Sequence, residues 1–469
     1  MKHVILLLLI IFILITGGCV YTPKCTPPPS NAMDGPVSMV MLPDNLLYVI
    51  NSNMDSKYCS SYISKISITS PAQPSYIADV PIRYKGSDIS LVAGAYLSPT
   101  TGLLWIADRE NNRVLIFDTA ANEVTATISV DQNPVSITPV GDINGDPLML
   151  VCNLSSNDVS IVSSALQKEL YRIPLTNNGI GVAPLNAVVT PSPVVINNQP
   201  PDIYAYVTRG ADNNISVVSI NNHCEFNPMF PSSASTPVFN SVTPGNVATM
   251  STVQTYNCIT KSELWTVTYT STTSDFEVNG SVSGEMTKRA QVGLPYTSDN
   301  GAISFTIYKP LYNYVAGDNF TFYTTSSSGL INILNYPGSG IGTATPVTKD
   351  IVMTPDMSKI FVSYVGLDSI VVINTYNNSI ENYIKVGRSP QAMLLSPDGS
   401  TLFVACYSSD KIYVIDTNSE TVIGIIGVGN GPFAMLMSPD QHYLYVLNYN
   451  DNSMDVIDLT NFTLVDTLK

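Results

Sequence analysis

The C-terminal part of the chain alternates short apolar segments with polar turns at a constant interval. The tripeptide Ser396–Asp398 recurs 42 residues later as Ser438–Asp440, and a related tripeptide, Thr354–Asp356, lies 42 residues earlier. Each unit predicts four short strands, in one case Ala392–Leu395, Leu402–Cys406, Ile412–Asp416 and Val422–Ile426. Units of about 40 to 50 residues with four strands are typical of propeller blades. The pattern therefore predicts an all-β propeller.

The second strand of this unit recurs along the whole chain as a nearly continuous apolar run. Such a run is expected of a middle strand that neighbouring blades cover on both faces. It occurs at Leu46–Ile50, Leu103–Ala107, Leu148–Cys152, Ile203–Val207, Ile360–Tyr364, Leu402–Cys406 and Leu444–Asn448. The sequence thus predicts seven four-stranded blades. Because one blade cannot bury its own faces, the ring is the stable unit.

Residues 226–329 lack the blade period. Their alternating segments Leu264–Thr270, Ala302–Tyr308 and Asn319–Thr324 predict a small inserted β-sandwich, immunoglobulin-like in type. We expect blades 1 to 4 at 36–225. The remainder of blade 4 and blades 5 to 7 are expected after the insertion, at 330–469. Whether the insertion is a spacer or a binding module stays open.

Two repeat units carry a family resemblance. The strings LYVLNYNDNSMDVID and LFVACYSSDKIYVID, each introduced by Ser-Pro-Asp, resemble the YVTN-type propeller repeats of bacterial and archaeal surface proteins. The resemblance is strong over 346–469, fair over 36–184 and absent from 226–329. It implies a propeller fold and an extracytoplasmic setting, without implying one activity.

The first residues of the chain predict export. Lys2 precedes the apolar run Val4–Ile15, which is shorter than the about 20 residues that span a bilayer. The small residues before Cys19 resemble a bacterial lipobox, although Thr16 stands where an aliphatic residue is usual. We expect a lipoprotein signal peptide at 1–18 and lipidation of Cys19, with a plain secretory signal as the alternative.

The segment after the signal predicts a spacer and a location. Residues 19–35 are rich in proline, which suits a stiff tether between an anchor and a folded body. Val20 follows the cysteine where an aspartate would resemble an inner-membrane retention signal. We therefore expect an outer-membrane or cell-surface lipoprotein, with a secreted or periplasmic protein as the alternative.

The charge of the chain limits its partners. Only 12% of the residues are charged, and the net charge is −15. Removal of the signal takes away Lys2 alone, so the mature charge is 20 minus 36, or −16. Nucleic acid is disfavoured because phosphate binding needs a basic surface. The expected partner is an envelope protein or a polysaccharide, and the lipid anchor is the expected membrane contact.

Most cofactor chemistries lack the residues they need. The chain has three histidines, one of them in the signal, and no Cys-x-x-Cys-His sequence. A multi-histidine metal site and covalent haem of the usual kind are therefore excluded. We find no phosphate-binding glycine loop and no serine, histidine and aspartate arrangement of a hydrolase. No cofactor is predicted, and the catalytic residues of an enzyme using only carboxylates stay unknown.

One segment resembles a calcium loop. Asp142, Asn144 and Asp146 place oxygen ligands at the first, third and fifth positions, as hard cations prefer. The downstream bidentate glutamate is missing, and Asn144-Gly145 is a favoured two-residue turn. We prefer the hairpin interpretation to a calcium site.

Six cysteines besides Cys19 allow disulfides in an exported protein. Proximity and loop-like surroundings favour the pairs Cys25 with Cys59 and Cys224 with Cys258. The other two, Cys152 and Cys406, lie in apolar strand patterns and are expected to be buried small hydrophobes.

Arginines gather at one predicted end of the ring. Five of the seven occupy loops that enter a first strand or join the second strand to the third, namely Arg83, Arg109, Arg113, Arg209 and Arg388. Arginine suits carboxylate or sulfate groups. We name as ligand contacts Arg109, Arg209 and Arg388, with Asn112 and Asn214 as polar neighbours. The alternative is local pairing with acids such as Asp108, Glu110 and Asp212.

Three functions remain compatible with these features. The first is a non-catalytic binding or scaffold propeller at the cell envelope. The second is a cofactor-free hydrolase or lyase, lactonase-like in type, that works in the central channel. The third is a structural component of a surface coat. A channel cluster of carboxylates with raised pKa values would favour the enzyme.

Overall fold

A computed structural model describes residues 33–52, 60–89, 91–99, 101–143, 146–163, 165–175, 181–195, 202–211, 214–221, 223–225, 232–256, 260–271, 273–325, 330–332 and 347–469. At 142–143, 146–147 and 330–332 only the backbone is described. The signal, Cys19, Cys25, Cys59, Cys258 and Asn144 lie outside these ranges. Within them the protein is all-β with one short 3-10 helix, Val365–Leu367. No helix among these residues could cross a membrane.

The strands of the N-terminal part form four antiparallel sheets. Sheet 1 contains β1 (Pro36–Leu42), β2 (Leu46–Asn51), β3 (Tyr62–Ser67) and β4 (Ser75–Pro81), and a small hairpin follows as β5 (Arg83–Tyr84) and β6 (Ser87–Asp88). Sheet 2 contains β7 (Val92–Leu97), β8 (Leu103–Asp108), β9 (Arg113–Asp118) and β10 (Glu123–Ser129). Sheet 3 contains β11 (Pro134–Ile143), β12 (Asp146–Asn153), β13 (Asp158–Ser163) and β14 (Lys168–Pro174). Sheet 4 contains β15 (Pro184–Val189), β16 (Tyr204–Arg209), β17 (Asn214–Ser219) and β18 (Cys224–Glu225).

The next strands leave this pattern and then return to it. They are β19 (Ser233–Ala234), β20 (Val238–Asn240), β21 (Gln254–Thr255), β22 (Glu263–Thr270), β23 (Asp275–Gly280), β24 (Gly284–Glu285), β25 (Pro295–Thr297), β26 (Ile303–Thr306), β27 (Asn319–Thr325) and β28 (Leu330–Asn332). Sheet 5 contains β29 (Thr348–Met353), β30 (Lys359–Tyr364), β31 (Ser369–Asn374) and β32 (Ser379–Lys385). Sheet 6 contains β33 (Pro390–Leu395), β34 (Thr401–Cys406), β35 (Lys411–Asp416) and β36 (Thr421–Gly427). Sheet 7 contains β37 (Pro432–Met437), β38 (Tyr443–Asn448), β39 (Ser453–Asp458) and β40 (Thr463–Leu468).

The middle strands bury both faces. Along β2, Leu47 and Val49 pack against sheet 7, whereas Tyr48 and Ile50 pack against sheet 2. All four are at most 1% exposed. Since successive side chains of a strand point to opposite faces, a strand between two neighbours has to be apolar throughout. This explains the continuous apolar runs of the second strands, which lie where the sequence predicted them.

The first strands of the numbered sheets contact one another in cyclic order. Strand β1 contacts β7, the series continues through β11, β15, β29, β33 and β37, and β37 contacts β1 again. The chain is thus an all-β protein of four-stranded antiparallel sheets, and the arrangement is consistent with a propeller.

The outer edge of sheet 4 is made of two separate chain segments. Strand β17 pairs with β18 at Ser219↔Cys224 and with β28 at Ser216↔Leu330. Between these segments, residues 232–325 form a six-stranded and a three-stranded sheet around a shared core that includes Trp265, Phe276 and Phe305. The expected limits of the insertion, 226 and 329, fall outside the described residues and stay predictions.

Asparagine or aspartate recurs in a left-handed conformation at the turn before the third strand. Values of φ between 49° and 61° are found at Asn112, Asn157, Asp368, Asp410 and Asn452. These two residue types tolerate that region because their short polar side chains bond locally. Each side-chain oxygen accepts a hydrogen bond from a backbone amide at the start of the next sheet, in order those of Asn133, Val182, Ser389, Gly431 and Gly35. We call these five residues the turn clips.

Candidate functional site

A cavity of about 700 Å³ is lined by the first strand of every numbered sheet. Two successive positions of these strands face it. The first position holds Val37, Ala93, Val135, Leu185, Lys349, Gln391 and Phe433. At the second position the lining residues are Ser38, Gly94, Ser136, Asn186, Asp350 and Ala392. We call this space the central cavity, because it lies where the cyclic series of strands meets.

Arg109 reaches the central cavity from the end of β8. Its Nε donates a hydrogen bond to Oδ1 of Asn133 at 2.7 Å, and the Asn133 amide is held by the turn clip Asn112 at 2.9 Å. Partial burial lowers the pKa of Arg109 from its ordinary value. The sequence thus selected two residues of one network, but Asn112 acts as a turn residue and its Oδ1 is already engaged.

Lys349 is the second cation of the central cavity. Burial lowers the pKa of its ammonium group, and repulsion from Arg109 adds to this, while the attraction of Asp350 opposes it. Neither Lys349 nor Arg109 forms a salt bridge with a described residue. The ordinary arrangement for a desolvated cation is a paired one, so two unpaired cations in one cavity leave room for an anion.

Asp350, next to Lys349, accepts three hydrogen bonds. Its Oδ1 accepts from Asn186 Nδ2 at 2.6 Å and from the Ile351 amide at 2.9 Å, and its Oδ2 accepts from the Met393 amide at 2.6 Å. Burial raises the pKa of this carboxyl, although these bonds oppose the rise. The donors belong to sheets 4, 5 and 6. Asp350 therefore fastens three neighbouring sheets at the cavity wall.

An aromatic arc completes the lining. Tyr407, Phe433 and Tyr449 lie on sheets 6 and 7, and the rings of Phe433 and Tyr449 are 5.7 Å apart. The Tyr407 hydroxyl donates to Oδ1 of Asn450 at 2.8 Å, which fixes the ring. The cavity thus combines cationic groups with apolar ring surface.

Arg209 does not belong to this site. Its side chain is fully buried, and Nη1 donates to Ser216 Oγ at 3.0 Å and to Glu225 Oε1 at 3.2 Å. The expectation that it contacts a ligand at the loop surface is therefore corrected, because β18 brings an acid to it inside sheet 4. Sequence reasoning missed this pair because nothing local indicates that Glu225 lies beside β17.

The other expected contacts are placed apart from the central cavity. Arg388 is exposed, and its Nη2 donates to the Ser408 carbonyl at 3.2 Å. Asn214 begins β17 and pairs in register with Asn332 of β28. Neither residue lines the cavity. The structure thus brings Arg109 to the site with Asn112 behind it, while Arg209, Arg388 and Asn214 lie elsewhere.

The remaining arginines fit the alternative of local pairing. Arg83 pairs with Asp88 and Arg113 with Asp108, at 2.6 and 2.7 Å. Arg172 and Arg289 also have acidic partners. Arg109 and Arg388 are the two arginines without a salt bridge to the described part of the chain. Local pairing therefore explains five arginines and leaves Arg109 unexplained.

The predicted calcium loop and the predicted disulfides lie only partly within the described residues. Asp142 pairs with Pro147 and Ile143 with Asp146 across a tight hairpin, whose turn residue Asn144 is not described. No group of metal-ligating side chains occurs among the described residues. Cys224 is disulfide-bonded, and its partner falls outside the description. Cys152 and Cys406 are free and buried.

Comparison with known proteins finds similar structures but no similar sequence. No family model and no curated sequence matches the chain. Kuenenia stuttgartiensis hydrazine synthase superposes with a TM-score of 0.53 at 11% identity, covering 94% of this chain and 99% of that one. A provisional 6-phosphogluconolactonase from Bacteroides fragilis superposes with a TM-score of 0.52 at 10% identity, covering 91% and 94%. These relatives are propeller-like proteins.

At such low identities the likeness shows the fold alone. In this protein the first strands of the seven numbered sheets surround one cavity. Alignment of the repeat units could have identified Lys349. The equivalent positions one and two periods later hold the uncharged residues Gln391 and Phe433, so the lysine is an exception to the repeat. A charged pair, Lys349 and Asp350, at the innermost strand is the signal that sequence reasoning overlooked.

Proposed function

We propose that the protein is an exported, lipid-anchored and non-catalytic binding propeller that holds the anionic end of a ligand in its central cavity. The observation that carries this proposal is the pair of unpaired cations, Arg109 and Lys349, on the cavity wall. In a chain of net charge −15, acidic side chains are abundant. Two cations that form no salt bridge with a described acidic residue therefore suggest a binding position for an anionic ligand.

The electrostatics support an anionic ligand. Arg109 and Lys349 repel one another, and this repulsion contributes to the lowered pKa of Lys349. A carboxylate or sulfate group between them would remove the repulsion and gain charge-assisted hydrogen bonds, each of about 1.5 to 3 kcal/mol. The aromatic arc on the same cavity wall would pack against the non-polar part of the same ligand.

The hydrogen bonds of Asp350 favour binding over catalysis. A general base has to be free to approach the substrate, whereas donors from three sheets already hold both oxygens of Asp350 in place. An enzyme of this type would also need a cluster of carboxylates, and Asp350 is the one carboxylate among the described residues that line the cavity.

A cofactor-free hydrolase is the second candidate. The raised pKa of Asp350 beside the lowered pKa of Lys349 is the observation that favours it, since catalytic groups often have such shifts. The Bacteroides fragilis relative is provisionally named for a lactonase activity, which agrees with this alternative in fold only.

The architecture and location form part of the same proposal. The repeat strings and the cyclic contacts support seven blades of the YVTN type, and the shared core of residues 232–325 supports an inserted immunoglobulin-like sandwich. The pattern around Cys19 supports a lipid anchor at the outer membrane or cell surface. Replacement Cys19→Ser should move the exported protein from the membrane to the soluble fraction, and continued membrane fractionation would contradict the anchor.

Capture from the native envelope tests the binding function. Immobilised protein should retain an anionic component that the double variant Arg109→Gln, Lys349→Gln retains at least tenfold less. The variant Arg83→Gln is the matched control, because Arg83 is exposed and paired with Asp88 outside the cavity. Equal retention by the double variant would contradict the proposal, and turnover of a captured ester or lactone would favour the hydrolase.

A further inference from the structure

A second concave surface lies on the outer face of the three-stranded sheet formed by β21, β26 and β25. It is an open groove of about 620 Å³. Its lining includes Gln254, Thr297, Ser304, Thr306 and Tyr308. The exposed Tyr256 borders it, since its hydroxyl lies 3.2 Å from Ser304 Oγ. We call this surface the tyrosine groove.

The alternation of β26 creates the floor of the tyrosine groove. Ile303 and Phe305 point into the sandwich core, where they are at most 3% exposed. Ser304 and Thr306 therefore point outward. Tyr308 follows on the same side, four residues beyond Ser304, which places the two backbones about 13 Å apart along an extended chain. The groove is thus a row of hydroxyl groups with a tyrosine at each end.

The two tyrosines are exposed although they are large and partly apolar. Tyr256 is 44% exposed and Tyr308 is 48% exposed. The contact with Ser304 holds the Tyr256 ring at the groove edge, so less freedom is lost when a ligand arrives. Exposed ring surface at both ends of a concave face favours a ligand with flat apolar faces.

The side chains between the tyrosines define the polarity of the ligand. Serine, threonine and glutamine each donate and accept hydrogen bonds, which matches groups that do the same. The described residues that line the groove include no charged one, in a protein of net charge −15. An anionic polymer would meet the general repulsion of an acidic protein, and an extended peptide would pair with a strand edge rather than lie across the face.

We propose that the tyrosine groove binds a neutral oligosaccharide. Sugar rings present flat C–H faces to the two tyrosines, and their hydroxyl groups exchange hydrogen bonds with Ser304, Thr306 and Thr297. This site is separate from the central cavity and does not depend on the function proposed there. It assigns the sandwich of residues 232–325 a binding role rather than a spacer role.

Affinity electrophoresis of the full mature chain tests the site. The gels contain dextran, mannan, laminarin or xylan as neutral probes, and alginate as an anionic probe. At least one neutral polymer should retard the protein, and the double variant Tyr256→Ala, Tyr308→Ala should bind it at least tenfold more weakly. Thr297→Arg should have a similar effect, because a long side chain at this exposed position obstructs the groove.

The matched control is Tyr323→Ala, since Tyr323 is 63% exposed on β27, outside the groove. It should be retarded like the unmodified protein, and all variants should keep the same unfolding temperature within about 2 °C. Equal retardation of the double variant would overturn the proposal. So would the absence of retardation by every neutral polymer, or retardation by alginate alone.

Discussion

Asn452 links the last numbered sheet to the residue that precedes the first one, Gly35. Its Oδ1 accepts a hydrogen bond from the Gly35 amide at 3.0 Å, across 417 residues of sequence. The same geometry links sheet 6 to sheet 7 through Asp410 and Gly431 at 3.0 Å. At Asp410 the polypeptide itself also connects the two sheets. At Asn452 it does not, so only non-covalent contacts join sheet 7 to sheet 1.

Replacement Asn452→Ala should therefore loosen the contact between the first and last sheets. It removes one hydrogen bond and puts a less tolerant residue at a φ of 50°, so we expect a loss of about 1 to 2 kcal/mol. Urea unfolding measures the loss, and amide hydrogen exchange should quicken first in β1 and β39. Asn418→Ala, at an exposed turn, is the control. A loss below that of the control would contradict the role of Asn452.

The buried pair Arg209 and Glu225 predicts a large stability effect. Arg209→Met leaves the Glu225 carboxylate buried without its partner, so we expect a loss of about 3 to 5 kcal/mol. Arg83→Met breaks an exposed pair with Asp88 and should cost at most about 1 kcal/mol. Chemical unfolding of both variants decides. Similar losses would show that the burial of Arg209 has no energetic consequence.

Asp158 predicts a pH dependence of stability. Burial raises the pKa of Asp158 from 3.8 to about 6, although a hydrogen bond from Asn153 opposes the rise. Because the folded pKa is the higher one, the unfolded chain loses this proton first as the pH rises. The contribution of the site to stability is thus complete below about pH 4 and lost by about pH 6.

Asp158→Asn should consequently gain stability relative to the unmodified protein as the pH rises from 4 to 7, measured by urea unfolding. Asp398→Asn is a control of opposite sign, since hydrogen bonds from Ser396 and Ser400 lower the pKa of Asp398. Its favourable contribution is present above about pH 4 and lost as the pH falls. A pH-independent difference for Asp158→Asn would refute the shift.

The interrupted edge of sheet 4 predicts that the inserted segment can be removed. A short glycine and serine linker in place of Asn227 to Ser327 should leave a protein that unfolds cooperatively. The reason is that β18 and β28, the strands on either side of the removed segment, both pair with β17 and therefore lie close together. Calorimetry of the shortened protein measures this. Loss of a cooperative transition would mean that the inserted segment is integral to the numbered sheets.

The sequence predicted the strands well because their pattern has a direct physical cause. Leu47 and Tyr48 are both apolar since each faces a different neighbouring sheet, and such a run is visible without a structure. The turn clips were equally visible in principle, as Asp368, Asp410 and Asn452 follow the 42-residue period. They were overlooked because a polar turn residue has no unique role until its partner is known.

The site was less predictable because its residues meet only in three dimensions. Arg109 and Lys349 are far apart in sequence, and their repulsion follows from the closure of the first strands around one cavity. Arg209 has the same loop-like surroundings in sequence as Arg109, yet it is buried against Glu225. Charge and loop position alone cannot separate a paired arginine from one that is unpaired at a cavity.

Calorimetric titration tests most directly whether Arg109 and Lys349 hold an anion in the central cavity. Glucuronate, sulfate and inorganic phosphate are titrated separately into the soluble Cys19→Ser protein and into the same protein carrying Arg109→Gln and Lys349→Gln. We expect at least one anion to bind the first protein and to bind the second at least tenfold more weakly, a difference of about 1.4 kcal/mol. Equal affinity in both proteins, or no binding of any of the three anions to the first, would contradict the claim.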